Sequence, residues 1–185
     1  MSAFETNEHR EHAEHAAHSG DPMIARISIT IAVLAVLAAI AASLETVESS
    51  KAIIAANEAV LAQDRATDSW NYYEAKSIKK NLYDVGAAMA GPKAAAFAKK
   101  STIEAAGQAQ AQNDAKTQEH VRDVQLKSAE VHETRHHWLT AGAALIEIGI
   151  AVSTIAIITK RNLAWLGAMG LGAVGVVVAA LAYVV

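Results

Sequence analysis

The chain of 185 residues has no cysteine, which excludes disulfides, thiolate catalysis and cysteine-based zinc sites. It also lacks any sustained basic run. Lys and Arg number 16 against 19 Asp and Glu, a net charge of -3, and binding nucleic-acid phosphates needs clustered Lys and Arg, so no nucleic-acid partner is expected. A Gly-rich phosphate loop, a Gly-x-Ser-x-Gly elbow and a His-Glu-x-x-His zinc signature are all missing. With no nucleophile, base and orienting group in a recognisable pattern, the sequence predicts no enzyme, no catalytic residue and no cofactor.

Charge is missing altogether from long parts of the chain. Residues 23–44, "MIARISITIAVLAVLAAIAASL", carry only Arg26; residues 138–159 carry only Glu147; residues 163–185 carry none. Each stretch is long enough to cross a hydrocarbon core of about 30 Å at about 1.5 Å per residue, so three transmembrane helices are predicted. The first could be read as a cleaved signal peptide, because it ends in the small residues "AAIAAS". A polar tail over residues 1–22 precedes it, however, and its apolar run exceeds a signal core, so an uncleaved anchor is the preferred reading.

Between the first and second stretches, residues 45–137 are rich in Ala, Gln, Glu and Lys, with one break at "GAAMAGPK", 86–93. Gly86, Gly91 and Pro92 divide this region into two arms of similar length. The expected fold is all-α: three transmembrane helices, with an extramembrane antiparallel helical hairpin, coiled-coil-like, between the first and second and its tip near 86–92. Residues repeat at seven: Val47, Ile54, Leu61, Asp68, Ala75 and Leu82 on one arm, Ala96, Ile103, Gln110, Thr117, Val124, Val131 and Trp138 on the other. If these stripes face each other, Asp68 meets Gln110 and Thr117 in a buried polar layer that fixes register, or in a loosely packed, wet middle. So narrow and Ala-rich a seam makes an isolated hairpin marginal and self-association expected.

"SWNYYEAKSIKKNLYDV", 69–85, concentrates aromatic rings and lysines. Trp70 and Tyr73 share one side of a helix, while Tyr72, Lys76, Lys79 and Tyr83 share another. Trp70, Tyr72, Tyr73 and Lys76 therefore form either internal packing, with Lys stems over Tyr faces, or a patch for a partner, and packing is the preferred reading. The stretch "WNYYEAKSIK", together with the "EHAEHAAH" tail ahead of a first apolar segment and "STIAIITKR" before a last one, resembles a bacterial family of inner-membrane proteins catalogued as a domain of unknown function. The resemblance covers nearly the whole chain. It implies three spans with a helical insert, and brings no activity, cofactor or catalytic residue.

Small residues line two of the spans. Ala25, Ser28, Ala32, Ala35, Ala39 and Ala42 form a seam on the first, and Ala168, Gly172, Gly175, Ala179 and Ala182 on the last. In lipid such seams let backbones approach closely, and a homo-oligomer using Ala168, Gly172, Gly175 and Ala179 is expected. Lys160, Arg161 and Asn162 make a tight link between the last two spans. By the positive-inside rule this link, Arg10, Arg26 and the N-terminus are cytoplasmic, and the hairpin is periplasmic in a Gram-negative inner membrane.

Two further features carry titratable groups. In "EHREHAEHAAH", 8–18, His9, His12, His15 and His18 follow Glu8, Glu11 and Glu14 at helical spacing. They are weak candidates for a divalent metal, but the stripe drifts round a helix, so a solvated, pH-sensitive surface helix is the preferred reading. Glu147 is the costly residue. An ionised carboxylate facing lipid at mid-membrane costs several kcal/mol, so it is expected to face a bundle interior, pair or stay protonated. The function read from these residues is an oligomeric membrane scaffold presenting a helical stalk, possible partners being the lipid bilayer, copies of the same chain and another membrane complex. The alternative is a proton- or ion-linked bundle using Glu147.

Overall fold

The computed structural model describes residues 22–184, all but a few of them helical. Helix α1 is Pro22–Met89, α2 is Ala94–Thr159 and α3 is Asn162–Leu181, with a single 3-10 turn, Gly91–Lys93, between α1 and α2. Pro22 suits the first position of α1, where its missing N–H has no helical partner to lose. The chain reverses where Gly91 takes φ +49 and Pro92 follows, a backbone conformation and a missing donor that together end a helix. The reversal is shorter than the sequence implies, because α1 runs on through Gly86 to Met89. At that position the absent side chain admits Phe97, since a Cβ on Gly86 would lie 3.3 Å from its ring.

Two compact units result, one from residues 22–51 with 131–184 and the other Ala52–Glu130. In the first, Ile27, Ile31, Leu34 and Ala38 of α1 pack with Ile146, Ile150 and Ala156 of α2. Their spacings of three and four put them on one face of each helix. Helix α3 joins through Ala168, Gly172 and Gly175, all buried. All three helices contain a segment long and apolar enough to cross a membrane. Their large side chains largely point outward: Ile29, Val33, Val36 and Ile40 on α1, Ile148, Ile155 and Ile158 on α2, and Leu163, Leu166 and Val177 on α3 are exposed.

The second unit also turns large side chains outward, but only small residues lie inside. Its buried hydrophobics are the alanines Ala55, Ala59, Ala62, Ala66, Ala111 and Ala115. Its two arms run antiparallel, as Gln63 pairs with Arg122, Trp70 with Glu119, Lys76 with Glu104 and Asp84 with Ser101. This corrects the expected seam. Ile54, Leu61, Asp68, Ala75 and Leu82 are exposed, and so are Ala96, Ile103, Gln110, Thr117 and Val124, so no buried layer of Asp68, Gln110 and Thr117 exists. The physical reason is interaxial distance: methyl side chains let two helices approach more closely than branched ones do. Each buried methyl contributes on the order of 0.8 kcal/mol, so the seam alone is weak. Cross-arm polar contacts supplement it, among them the Trp70 indole donating to Glu119 Oε1 at 2.8 Å and an ion pair between Lys76 Nζ and Glu104 Oε2 at 2.9 Å.

Candidate functional site

The densest titratable cluster in the first unit lies where the apolar segments of α1 and α2 give way to polar sequence. Glu45 and Glu48 are one turn apart on α1, and His132 and His136 one turn apart on α2, so each pair projects from one face of its helix. Glu48 is the anchor, its side chain only 4% exposed. His132 Nδ1 lies 2.6 Å from Glu48 Oε2, Lys51 Nζ donates to Glu48 Oε1 at 3.3 Å, and Arg135 reaches within 3.9 Å. Thr140 donates to Glu45 Oε1 at 2.8 Å, and His136 Nδ1 stands 3.7 Å from the same oxygen. Tyr183, just past the end of α3, completes the cluster by stacking its ring under the Arg135 guanidinium, 5.5 Å away. All three helices are thereby tied at one end of the unit.

Electrostatically the cluster is a clasp around one buried carboxylate. Burial by itself raises the pKa of Glu48, but the hydrogen bonds from His132 and Lys51 and their charges outweigh it and hold the carboxyl below its usual range. A His–carboxylate pair can orient a base, yet among the described residues no nucleophile is joined to it. Among the described residues no three His, Cys, Asp or Glu are arranged to hold a metal ion. The apolar cavity nearby, about 260 Å³ and bordered by Leu37, Leu44, Val176 and Tyr183, has no set of convergent polar groups to position a substrate.

The residues singled out from sequence fall elsewhere. Glu147 is exposed on the outer face of α2, opposite the inward Ile146 and Ile150, with no hydrogen bond or ion pair among the described residues. Within one chain it therefore faces no bundle interior, because Ile146, Gly149, Ile150 and Ser153 occupy that side. The seam assigned to an oligomer is used inside the chain. Ala168, Gly172 and Gly175 are buried, Ala179 is half-buried, and a Cβ on Gly175 would lie 2.7 Å from the Gly142 carbonyl oxygen. A contact this close between α2 and α3 leaves no room for a neighbouring copy. The seam on α1 is instead partly outward, with Ala25, Ala32 and Ala39 exposed.

The aromatic patch is also taken up internally. Trp70 is held by Glu119 and packs edge-on against Tyr73 with ring centroids 5.4 Å apart. Lys76 lies between Glu104 and the Tyr72 ring, and Gly107 makes room for its stem, a Cβ there falling 3.1 Å from Lys76 Cε. The hydrogen bonds to Glu104 and then Tyr72 raise the Lys76 pKa. Only Tyr72 of the four keeps most of its ring exposed. His9, His12, His15 and His18 lie outside the described residues.

Residues 23–185 match a protein family described as a domain of unknown function, DUF4337. The chain belongs to that family. No curated protein matches the chain, and no solved structure does. Membership in DUF4337 supplies no activity to test against the cluster, so its meaning rests on geometry. Sequence reading missed the Glu48 clasp, although the signal was present. A reversal at Gly91 brings together residues whose numbers add to about 180, which puts Glu48 opposite His132.

Proposed function

We propose that the chain is a non-enzymatic, multi-pass membrane protein that works as a self-associating scaffold. Its three apolar segments sit in the bilayer and residues 52–130 in water. One observation carries this reading: the second unit turns its large apolar residues outward. Ile54, Leu61 and Leu82 are exposed at intervals of seven or its multiple on α1, and Ile103 and Val124 at a multiple of seven on α2. A stripe repeating every seven residues suits packing against another helix, and the partner of the same pattern is a second copy of the chain. A different membrane complex is the competing occupant of that surface. The experiment is subunit counting in detergent by light scattering. Ile54→Glu combined with Leu61→Glu should lower the subunit number while helicity by circular dichroism stays constant; an unchanged subunit number refutes the reading.

The bacterial inner membrane is the setting proposed, with Arg26 and the Lys160–Arg161 link on the cytoplasmic side and the Gly91 turn in the periplasm. A second reading, proton or ion transfer through an assembled bundle, is favoured by one fact only: Glu147 is exposed and has no partner among the described residues. Only a neighbouring molecule could enclose it. Proton or cation flux in liposomes that vanishes in Glu147→Gln with assembly intact supports that reading, and no flux from the wild type at any pH removes it.

A further inference from the structure

At the end of the first unit where α1 and α3 begin lies a polar cavity of about 250 Å³, lined by Pro22, Met23, Arg26, Asn162 and Trp165. One wall is fixed: the Trp165 indole N–H donates to Thr30 Oγ1 at 3.0 Å, which binds α3 to α1 one turn beyond Arg26. That bond uses the only donor of the indole ring. The donors left to the cavity are the Arg26 guanidinium and the Asn162 amide. Neither side chain has a hydrogen bond or ion pair among the described residues.

Among the described residues the charge around this cavity is of one sign. Arg26, Lys160 and Arg161 gather at this end of the unit, and residues 22–44 and 148–184 contain no Asp or Glu. The complement is an anion. Roughly 300–1,000 Å³ is usual for a pocket that encloses a drug-sized molecule, so this one fits a headgroup-sized fragment and not a nucleotide. The helices that form it carry exposed Ile29 and Val33 on α1 and Leu163 and Leu166 on α3, apolar surface on which acyl chains can lie. A cation beside a tryptophan at the edge of an apolar segment is also the arrangement that sits at the level of lipid headgroups.

We propose that this cavity is a binding site for the phosphodiester of an anionic phospholipid. The Arg26 guanidinium and the Asn162 amide donate to the phosphate oxygens, and Lys160 and Arg161 supply the surrounding positive potential. The planar, multi-donor guanidinium matches a phosphate better than a lysine ammonium does. This rests on the reading of the chain as a membrane protein.

The test uses the full chain purified in a neutral detergent. Native mass spectrometry measures retention of phosphatidylglycerol and of phosphatidylcholine, with and without millimolar inorganic phosphate. The wild type should hold phosphatidylglycerol about tenfold more tightly than phosphatidylcholine, and inorganic phosphate should not displace it. Arg26→Gln should lose about tenfold in affinity for phosphatidylglycerol, and Arg26→Lys should recover part of that loss. Circular dichroism of each variant checks that the helices are intact. Equal retention of the two lipids, or an Arg26→Gln variant that binds as the wild type does, overturns the proposal. Displacement by inorganic phosphate overturns the lipid assignment in favour of a free anion. Alkaline extraction of cell membranes separates the two readings: a chain released by carbonate sinks the membrane reading itself, whereas a chain retained there without lipid preference sinks only the headgroup site.

Discussion

Substituting Gly142 by alanine tests a close backbone contact between α2 and α3. A Cβ on Gly142 would lie 2.7 Å from the Gly175 carbonyl oxygen, 2.7 Å from Ala179 Cβ and 2.8 Å from Ala179 N. Ordinary contact starts near 3.4 Å, so α2 and α3 must separate locally by several tenths of an ångström, and two of the three obstructing atoms are backbone that cannot rotate away. Overpacking of this kind costs about 1–3 kcal/mol. Gly170→Ala on α3 is the control, since a Cβ there has nothing within 4 Å. It should be neutral or gain up to about 1 kcal/mol from helix propensity. Unfolding is followed by circular dichroism during titration of the detergent-solubilised protein with a denaturing detergent. Gly175→Ala creates the reciprocal clash with the Gly142 carbonyl oxygen, so the costs of the two variants should not add, and the double variant should fall short of their sum by at least about 0.5 kcal/mol. Because the contact is internal, subunit number should not change. A Gly142→Ala protein that unfolds with Gly170→Ala, or that keeps its stability and loses subunits, would refute the intramolecular assignment of the seam.

Three further outcomes are expected. The folded-state pKa of Glu48 is depressed, so its contribution to stability is complete above the ordinary carboxyl value of 4.5 and is lost as pH falls through the lower folded-state value; Glu48→Leu, which leaves His132 without its partner, should cost about 1–3 kcal/mol near neutral pH and flatten that acid limb in a pH series of melting curves. In the second unit, Asp68→Leu with Gln110→Leu should leave the melting temperature of the chain within experimental error, because both residues are exposed, whereas Ala62→Leu in the buried seam should lower stability by about 1–3 kcal/mol. For topology, a cysteine replacing Gly91 should react in intact cells with a membrane-impermeant thiol reagent and one replacing Asn162 only after lysis, the opposite pattern inverting the proposed orientation.

The helical class and the three apolar segments were legible because whole stretches of more than twenty residues lack charge or carry one, which makes them long and apolar enough to cross a membrane. The reversal between α1 and α2 was legible from Gly91 and Pro92, which act locally. The phase of the seam was not. Both Ala55, Ala62 and Ile54, Leu61 recur at seven residues, so periodicity identifies two parallel stripes without saying which faces the other arm. Choosing the larger side chains, the rule for a core in water, selected the wrong one. The Glu48 clasp was missed for a different reason: Glu48 and His132 are 84 positions apart, and the Gly91 reversal places them at one height but does not say which helix faces meet.

Large apolar residues face outward in both units, in the first beside a core of Ile27, Ile31, Leu34, Ile146 and Ile150 and in the second around a core of alanines, and the difference bears on the proposed function. On the proposed membrane reading lipid surrounds the first unit, so Ile29 and Val36 lose nothing by facing out, while Ala38, Gly142 and Gly175 inside let backbones touch. On the same reading water surrounds the second unit, where charged residues such as Glu58, Asp64, Arg65 and Lys79 share the exposed surface with Ile53, Ile54, Val60 and Leu61. Exposing those four side chains to water forgoes about 1.5–3 kcal/mol apiece relative to burying them. An arm that places methyl groups in its own contact and branched chains on its exterior is what the proposed self-association requires, since burying those chains against a second copy recovers that free energy. The alanine seam closes the hairpin, and on the proposed self-associating reading the exposed stripe of Ile54 and Leu61 is the surface that meets the second copy.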